Sequence, residues 1–138
     1  LEGLPTNSVD FIFSHAVLEH LPRKYFFRFM VECRRLLRPG GFASHRVDLT
    51  DHLGGGLNNL RFCEKTWESS LFAHSGFYTN RLRLPEIINI VVKAGFEPQI
   101  VNCERYSCIP IQRNQLSSDF SLLSYDDLLV KAFDMVMR

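Results

Sequence analysis

The sequence predicts an α/β fold built on a mixed, mostly parallel sheet with flanking helices and an antiparallel last strand. Three observations predict it. The apolar run Val9–Ser14, the amphipathic stretch Lys24–Leu37 and the apolar run Phe42–Val47 follow one another as strand, helix and strand. Such an order demands parallel pairing through a right-handed crossover. Pro85–Ala94 and Pro98–Ser107 then repeat the helix-to-strand pattern. The final apolar run, Val130–Met137, follows a connection too thin for a full crossover, so its strand is expected to run antiparallel.

Each element has a local reason. Val9–Ser14 carries aromatic residues on one face and Ile12 on the other, as in a strand covered on both sides. Pro22 stands at a favoured helix-opening position. Tyr25, Phe26, Phe29, Met30, Cys33, Leu36 and Leu37 recur at helical spacing, with Arg28, Glu32, Arg34 and Arg35 mostly on the opposite face. Pro39-Gly40-Gly41 is expected to stop this helix and turn the chain into the next strand. Thr50–Leu82 is the least regular stretch, with a short helix expected over roughly Cys63–Phe72. Loops of that length inside compact domains are usually functional. Pro85 opens the second long helix and Gly95 stops it. Ser124 and Asp127 have capping-box spacing and start a short helix before the last strand.

Composition excludes several classes. The 138 residues are 46% hydrophobic and 22% charged, as in an ordinary globular domain with a real core. A formal net charge of +1 gives no broad footprint for nucleic acid or an anionic membrane. No apolar run approaches the length of a membrane span, and no signal-peptide pattern is present. Cys33, Cys63, Cys103 and Cys108 are scattered without a C-x-x-C pair and read as reduced thiols of a cytoplasmic protein. A metal set drawn from His45, Asp48, Asp51 and His52 lacks any constraining helical spacing, so no metal is expected. The chain starts in mid-pattern, at Leu1, and reads as one partial domain over 1–138, a piece of a longer protein.

The polar residues Ser14, His15, Glu19 and His20 fall at the carboxyl end of the first strand. In open α/β sheets that edge is where ligands bind. Two further groups stand out. Trp67, Phe72, Phe77 and Tyr78 fit either an aromatic lid or an anchor for the long loop. Arg81 and Arg83 fit either a clamp for a substrate anion or two solvated arginines. Gly54-Gly55-Gly56 does not bridge a strand and a helix, and reads as plain loop.

Asp10-Phe11-Ile12-Phe13-Ser14, Leu18-Glu19-His20 and Leu37-Arg38-Pro39-Gly40-Gly41 together resemble the second half of the class I (Rossmann-like) S-adenosylmethionine-dependent methyltransferases. The element order is similar to strands four to seven of that fold. The resemblance implies that the cofactor is S-adenosylmethionine and that Ser14, His15 and Ala16 line its methionine side. Glu19 and His20 match the family's Leu-Glu-His, which orders the turn or joins the cofactor wall. It also implies that the first half, with the Gly-rich loop and the ribose-binding acid, lies outside this chain. His45–His52 and Tyr78–Arg83 are similar to a bacterial branch linked to surface-polysaccharide synthesis. The acceptor implied is a small molecule or glycan precursor. A general base is needed only for a hydroxyl or protonated amine acceptor, and Asp48, Asp51 and His52 are the candidates, with His45 inside the strand before them. The piece alone is expected to be inactive and to self-associate through the apolar strand edge at Val9–Ser14. A nicotinamide-dependent dehydrogenase and a non-catalytic interaction module are the alternative readings.

Overall fold

In the computed structural model, which describes residues 3–138, four strands form one sheet. They are β1 (Val9–His15), β2 (Leu37–Asp48), β3 (Pro98–Arg105) and β4 (Val130–Met137). Their order in space is β1-β2-β4-β3. β2 lies parallel to β1, whereas β4 runs antiparallel to both β2 and β3. The antiparallel last strand is thus as expected. It slots between β2 and β3 instead of adding to an outer edge.

The helix α1 (Arg23–Leu36) joins β1 to β2. Phe26, Met30, Cys33 and Leu36 form its buried stripe, each such apolar side chain contributing about 1.5–3 kcal/mol by leaving water. Burial also pushes the Cys33 thiol up to about 11, so it behaves as a small hydrophobe. The helix ends at Leu36, before Pro39-Gly40-Gly41, and Leu37 is already extended. The Pro-Gly-Gly run therefore does not stop the helix. It forms a bulge at the start of β2, which is longer than the expected Phe42–Val47. Val9 faces Leu37 across the ladder, yet Phe11 faces Phe42, so the residues between loop out. A Cβ on Gly41 would lie 3.0 Å from the carbonyl oxygens of Asp10 and Arg38, which explains a glycine there.

The second long helix, α4 (Leu84–Lys93), lies beside α1 on the same face of the sheet. Between them and the sheet sits the main core: Leu18, Phe26, Met30, Ala43, Val47, Ile87, Val91, Phe133, Met135 and Met137. A smaller core of Leu57, Leu60, Ile111, Phe120 and Leu128 anchors the connecting loops. The helix expected over Cys63–Phe72 is two single turns, α2 (Glu64–Trp67) and α3 (Ser70–Ala73). Ser69 between them is extended, which breaks the helical ladder. β3 ends at Arg105, two residues before the expected Ser107. The capping box before α5 (Tyr125–Leu129) is realised: Ser124 Oγ accepts from the Asp127 N–H at 3.0 Å.

One expectation for β1 fails. Its two faces are not both covered. Ile12 and Ser14 face α1 and α4, but Phe11 and Phe13 are 44% and 72% exposed on the other side. Their rings stack at 5.8 Å, and Phe42 joins them at 4.7 Å from Phe11. The outer edge of β1 also has no strand partner among the described residues.

Candidate active site

β1 and β2 end together at the carboxyl edge, where the polar cluster lies. After His15 the chain turns through Ala16, whose φ of +52° is unusual for a residue with a Cβ. Such left-handed strain clusters at functional turns. The Ala16 N–H is held by the Arg46 carbonyl at 3.1 Å. Leu18–His20 then forms a single 3₁₀ turn. Asn80 stitches this turn from below. Its Nδ2 donates to the Leu18 and Leu21 carbonyls at 2.8 and 2.9 Å, and its N–H donates to the Glu19 carbonyl at 2.7 Å.

The predicted site residues divide into inward and outward groups. The Ser14 hydroxyl pairs with His45 Nδ1 at 2.7 Å, facing the helices. His45 is buried, its Nε2 has no partner, and burial drives its pKa down to about 4. Glu19 is buried with Oε2 unpartnered, and desolvation raises its carboxyl above the ordinary range. His15 is exposed on the open sheet face, in a groove of about 440 Å³ shared with Phe11, Phe13, Ser44 and Arg46. Ala16 and His20 are exposed as well.

Among the residues after β2, Asp48 Oδ1 accepts from the Thr50 N–H at 2.8 Å. Asp51 is buried and organises the glycine loop. Its Oδ1 accepts from the Leu53 N–H at 2.7 Å and its Oδ2 from the Asn58 N–H. Gly54-Gly55-Gly56 is accordingly a loop held by Asp51, with Gly54 and Gly55 at positive φ. His52 is exposed and comes beside His20, the ring centroids 5.1 Å apart. This pairing joins the ends of β1 and β2.

The aromatic group is an anchor and not a lid. Trp67 is fully buried and donates from Nε1 to the Thr79 carbonyl at 2.7 Å. Phe62, Phe72, Phe77 and Tyr78 pack around it. The reading of Arg81 and Arg83 as solvated is overturned, since both are buried, and Arg83 is closed to a ligand as well. Arg81 lies between Trp67 and Phe120, 5.2 and 4.9 Å from their rings, and donates to the Phe62 carbonyl at 2.6 Å. Arg83 donates to the carbonyls of Leu49, Asp127 and Val130 at 3.0, 2.8 and 2.5 Å. Burial holds its pKa down to about 10. Among the described residues no group of three or more His, Cys, Asp or Glu is placed to hold a metal ion. No helix among the described residues is long and apolar enough to cross a membrane.

The comparisons with known proteins bear on this geometry. A family model described as a methyltransferase domain matches residues 1–44, which contain β1, the Leu18–His20 turn, α1 and the start of β2. The fold is that of the class I S-adenosylmethionine-dependent methyltransferases. A methyltransferase from Archaeoglobus fulgidus superposes with a TM-score of 0.52 at 11% identity, over 99% of this chain and 62% of that one. One from Mesorhizobium loti gives 0.52 at 17%, over 98% and 64%. The phosphoethanolamine N-methyltransferase 2 of Haemonchus contortus gives 0.51 at 17%, over 97% and 34%; it was solved with phosphomonomethylethanolamine and S-adenosylhomocysteine. The chain thus spans less than two thirds of the length of these methyltransferases. None of the curated proteins matches.

Proposed function

We propose that this chain is the C-terminal half of a methyltransferase domain and supplies one wall of an S-adenosylmethionine site. The observation that carries the reading is the strained Ala16 turn at the carboxyl end of β1, on a sheet ordered β1-β2-β4-β3 with β4 antiparallel. On this reading Ser14, His15 and Ala16 line the methionine side of the cofactor. His15, Ala16 and Val17 are all exposed, which suits that role, although the Ala16 N–H is already taken by the Arg46 carbonyl. Ser14 contributes through its backbone, since its hydroxyl is engaged with His45. Glu19 and His20 order the turn behind this wall. The described residues contain no glycine-rich loop between a strand and a helix, so the opposite wall comes from a further segment. That segment would also cover Phe11, Phe13 and Phe42.

The acceptor on this reading is a small molecule, and a glycan precursor is the specific class suggested by the resemblance of His45–His52 and Tyr78–Arg83. The H. contortus enzyme, with its phosphomonomethylethanolamine, supports the coarser statement only. A cytoplasmic location is part of the proposal, and the free thiols of Cys33, Cys63, Cys103 and Cys108 are its support. The piece alone is proposed to be inactive and to associate through the unpaired β1 edge.

Calorimetry with S-adenosylhomocysteine tests both parts. The intact protein is expected to bind with a micromolar Kd, and the 138-residue chain at least ~100-fold more weakly, because it offers one wall of two. Micromolar binding by the chain alone would sink the half-domain proposal. No binding by the intact protein would sink the methyltransferase reading. Light scattering of the chain at high concentration should show dimers or larger species, and a monomer would count against edge association.

A further inference from the structure

The two imidazoles at the carboxyl edge are oriented alike by one loop. His20 Nδ1 faces the Tyr78 carbonyl at 3.2 Å, and His52 Nδ1 faces the Gly76 carbonyl at 3.5 Å. A carbonyl oxygen only accepts, so an Nδ1 bonded to one carries the proton of its ring. In the neutral rings these two contacts favour the Nδ1–H tautomer, the closer His20 contact more than the His52 one, and that tautomer leaves the Nε2 lone pair bare. Among the described residues neither Nε2 has a hydrogen-bond partner. The rings stand 5.1 Å apart, one from the turn after β1 and one from the loop after β2, and both are exposed. Two free basic nitrogens beside the cofactor wall suit the taking up of a proton.

We infer that His20 and His52 form a proton-accepting pair, and that the methyl acceptor is an amine or hydroxyl compound that gives up a proton on methylation. The inference rests on the methyltransferase reading and deepens it. The step balances without any other reagent. The acceptor's nitrogen or oxygen lone pair forms the new bond to the methyl carbon. The bond from that carbon to the cofactor's sulfur breaks, and the electron pair stays on sulfur. The acceptor's proton passes to an Nε2 and then to water. Positioning of this kind makes the proton transfer part of the displacement. An acceptor that is already an anion, such as a thiolate, would have no use for the pair.

The loop Gly76–Tyr78 is what aims the rings, so it is a positioning element. Its own anchorage is strong: the Tyr78 hydroxyl donates to Glu68 at 3.0 Å, and Trp67 holds Thr79.

The first test needs no activity. Imidazole ¹⁵N spectra of the chain, assigned with His20→Asn and His52→Asn, should show both neutral rings as Nδ1–H tautomers. An Nε2–H tautomer on either ring would overturn the inference. So would micromolar zinc binding abolished by either substitution, which would make the pair a metal chelate. The Asn variants keep a donor near the Nδ1 position, so the loop contact and the fold should survive. The second test uses the intact protein with S-adenosylmethionine and a set of simple amines, phenols and thiols. Amine or phenol methylation should fall by about 10²-fold or more in kcat in the double variant. His52→Asn alone should leave S-adenosylhomocysteine affinity within about threefold, since His52 lies beyond the cofactor wall. Undiminished methylation in the double variant, or turnover confined to thiols, would overturn the inference while leaving the methyltransferase reading intact. Loss of S-adenosylhomocysteine binding by the unsubstituted protein would instead remove that reading.

Discussion

Replacing Arg83 by Met is expected to destabilise the chain by about 3–5 kcal/mol. The guanidinium is buried and ties three carbonyls from distant places: Leu49 just after β2, Asp127 in α5 and Val130 at the start of β4. Without it, those oxygens lose their donor while still shut away from water, at about 1–3 kcal/mol each. Relief from burying a charge offsets part of this loss, because burial already disfavours the charged form. The net remains a large loss, since a Met side chain supplies no donor. Arg83→Lys should recover only a minor part, because one compact ammonium cannot reproduce a planar fork that spans three carbonyls. Urea unfolding of the three proteins would check this. A loss below about 1 kcal/mol in Arg83→Met, or full recovery in Arg83→Lys, would show that the junction is held by packing alone.

Arg83 also marks where the sequence stops being legible. Arg81 and Arg83 alternate before a proline and look like solvated charges or a clamp. What fixes them lies far along the chain, in carbonyls that no local pattern announces. The same holds for Asn80, whose amide secures the Leu18–His20 turn by bonds to residues 62 and 59 positions earlier in the chain. Hydrophobic period, by contrast, is local. It made β1, α1, α4 and β4 readable, because each buries one stripe or face. The antiparallel direction of β4 is expected because the connection before it reads as too thin for a full crossover; that connection holds no helix longer than α5. Pro39-Gly40-Gly41 was readable as punctuation but not as a bulge, because the need for Gly41 arises from the backbone of β1 across the ladder. The coverage of β1 misled for a related reason. Phe11 and Phe13 carry the apolar pattern of a strand covered on both faces, yet nothing among the described residues covers that side.

The candidate site shows the same division. Ser14 to His20 could be located by motif and by position at the strand end. His52 was a candidate for its residue type alone, and nothing in the sequence placed it against His20. Asp51 looked equally eligible, yet its carboxylate is engaged by two backbone N–H groups of its own loop. Spacing cannot distinguish an Asp that organises a loop from one that faces a ligand. The difference lies in which direction the loop closes.

The second large effect is a pH dependence centred on His45. Its ring is buried between Ser14 and the Met135 strand, and Nε2 has no partner. Burial lowers its pKa from the ordinary 6.5 to about 4. The unfolded chain therefore binds more protons than the native one between those values. Stability is fully present above pH ~6.5 and is lost as pH falls toward ~4. The loss from this group at pH 4.5 is about 2.5 kcal/mol. Glu19 acts with the opposite sign, because its raised pKa favours the native state as pH falls. The two effects separate in a comparison of variants. In urea unfolding at pH 7 and pH 4.5, His45→Gln should lose about 2.5 kcal/mol less than the unsubstituted chain over that interval, whatever its stability at pH 7. Glu19→Gln should make the acid loss steeper. Equal acid losses in the unsubstituted chain and His45→Gln would show that His45 accepts a proton without cost, and that the pocket opens to water. The link to function is direct. Ser14 and His45 pair across the ends of β1 and β2, so the charge that acid places on His45 arises next to the strand end that carries Ala16 and the proposed cofactor wall.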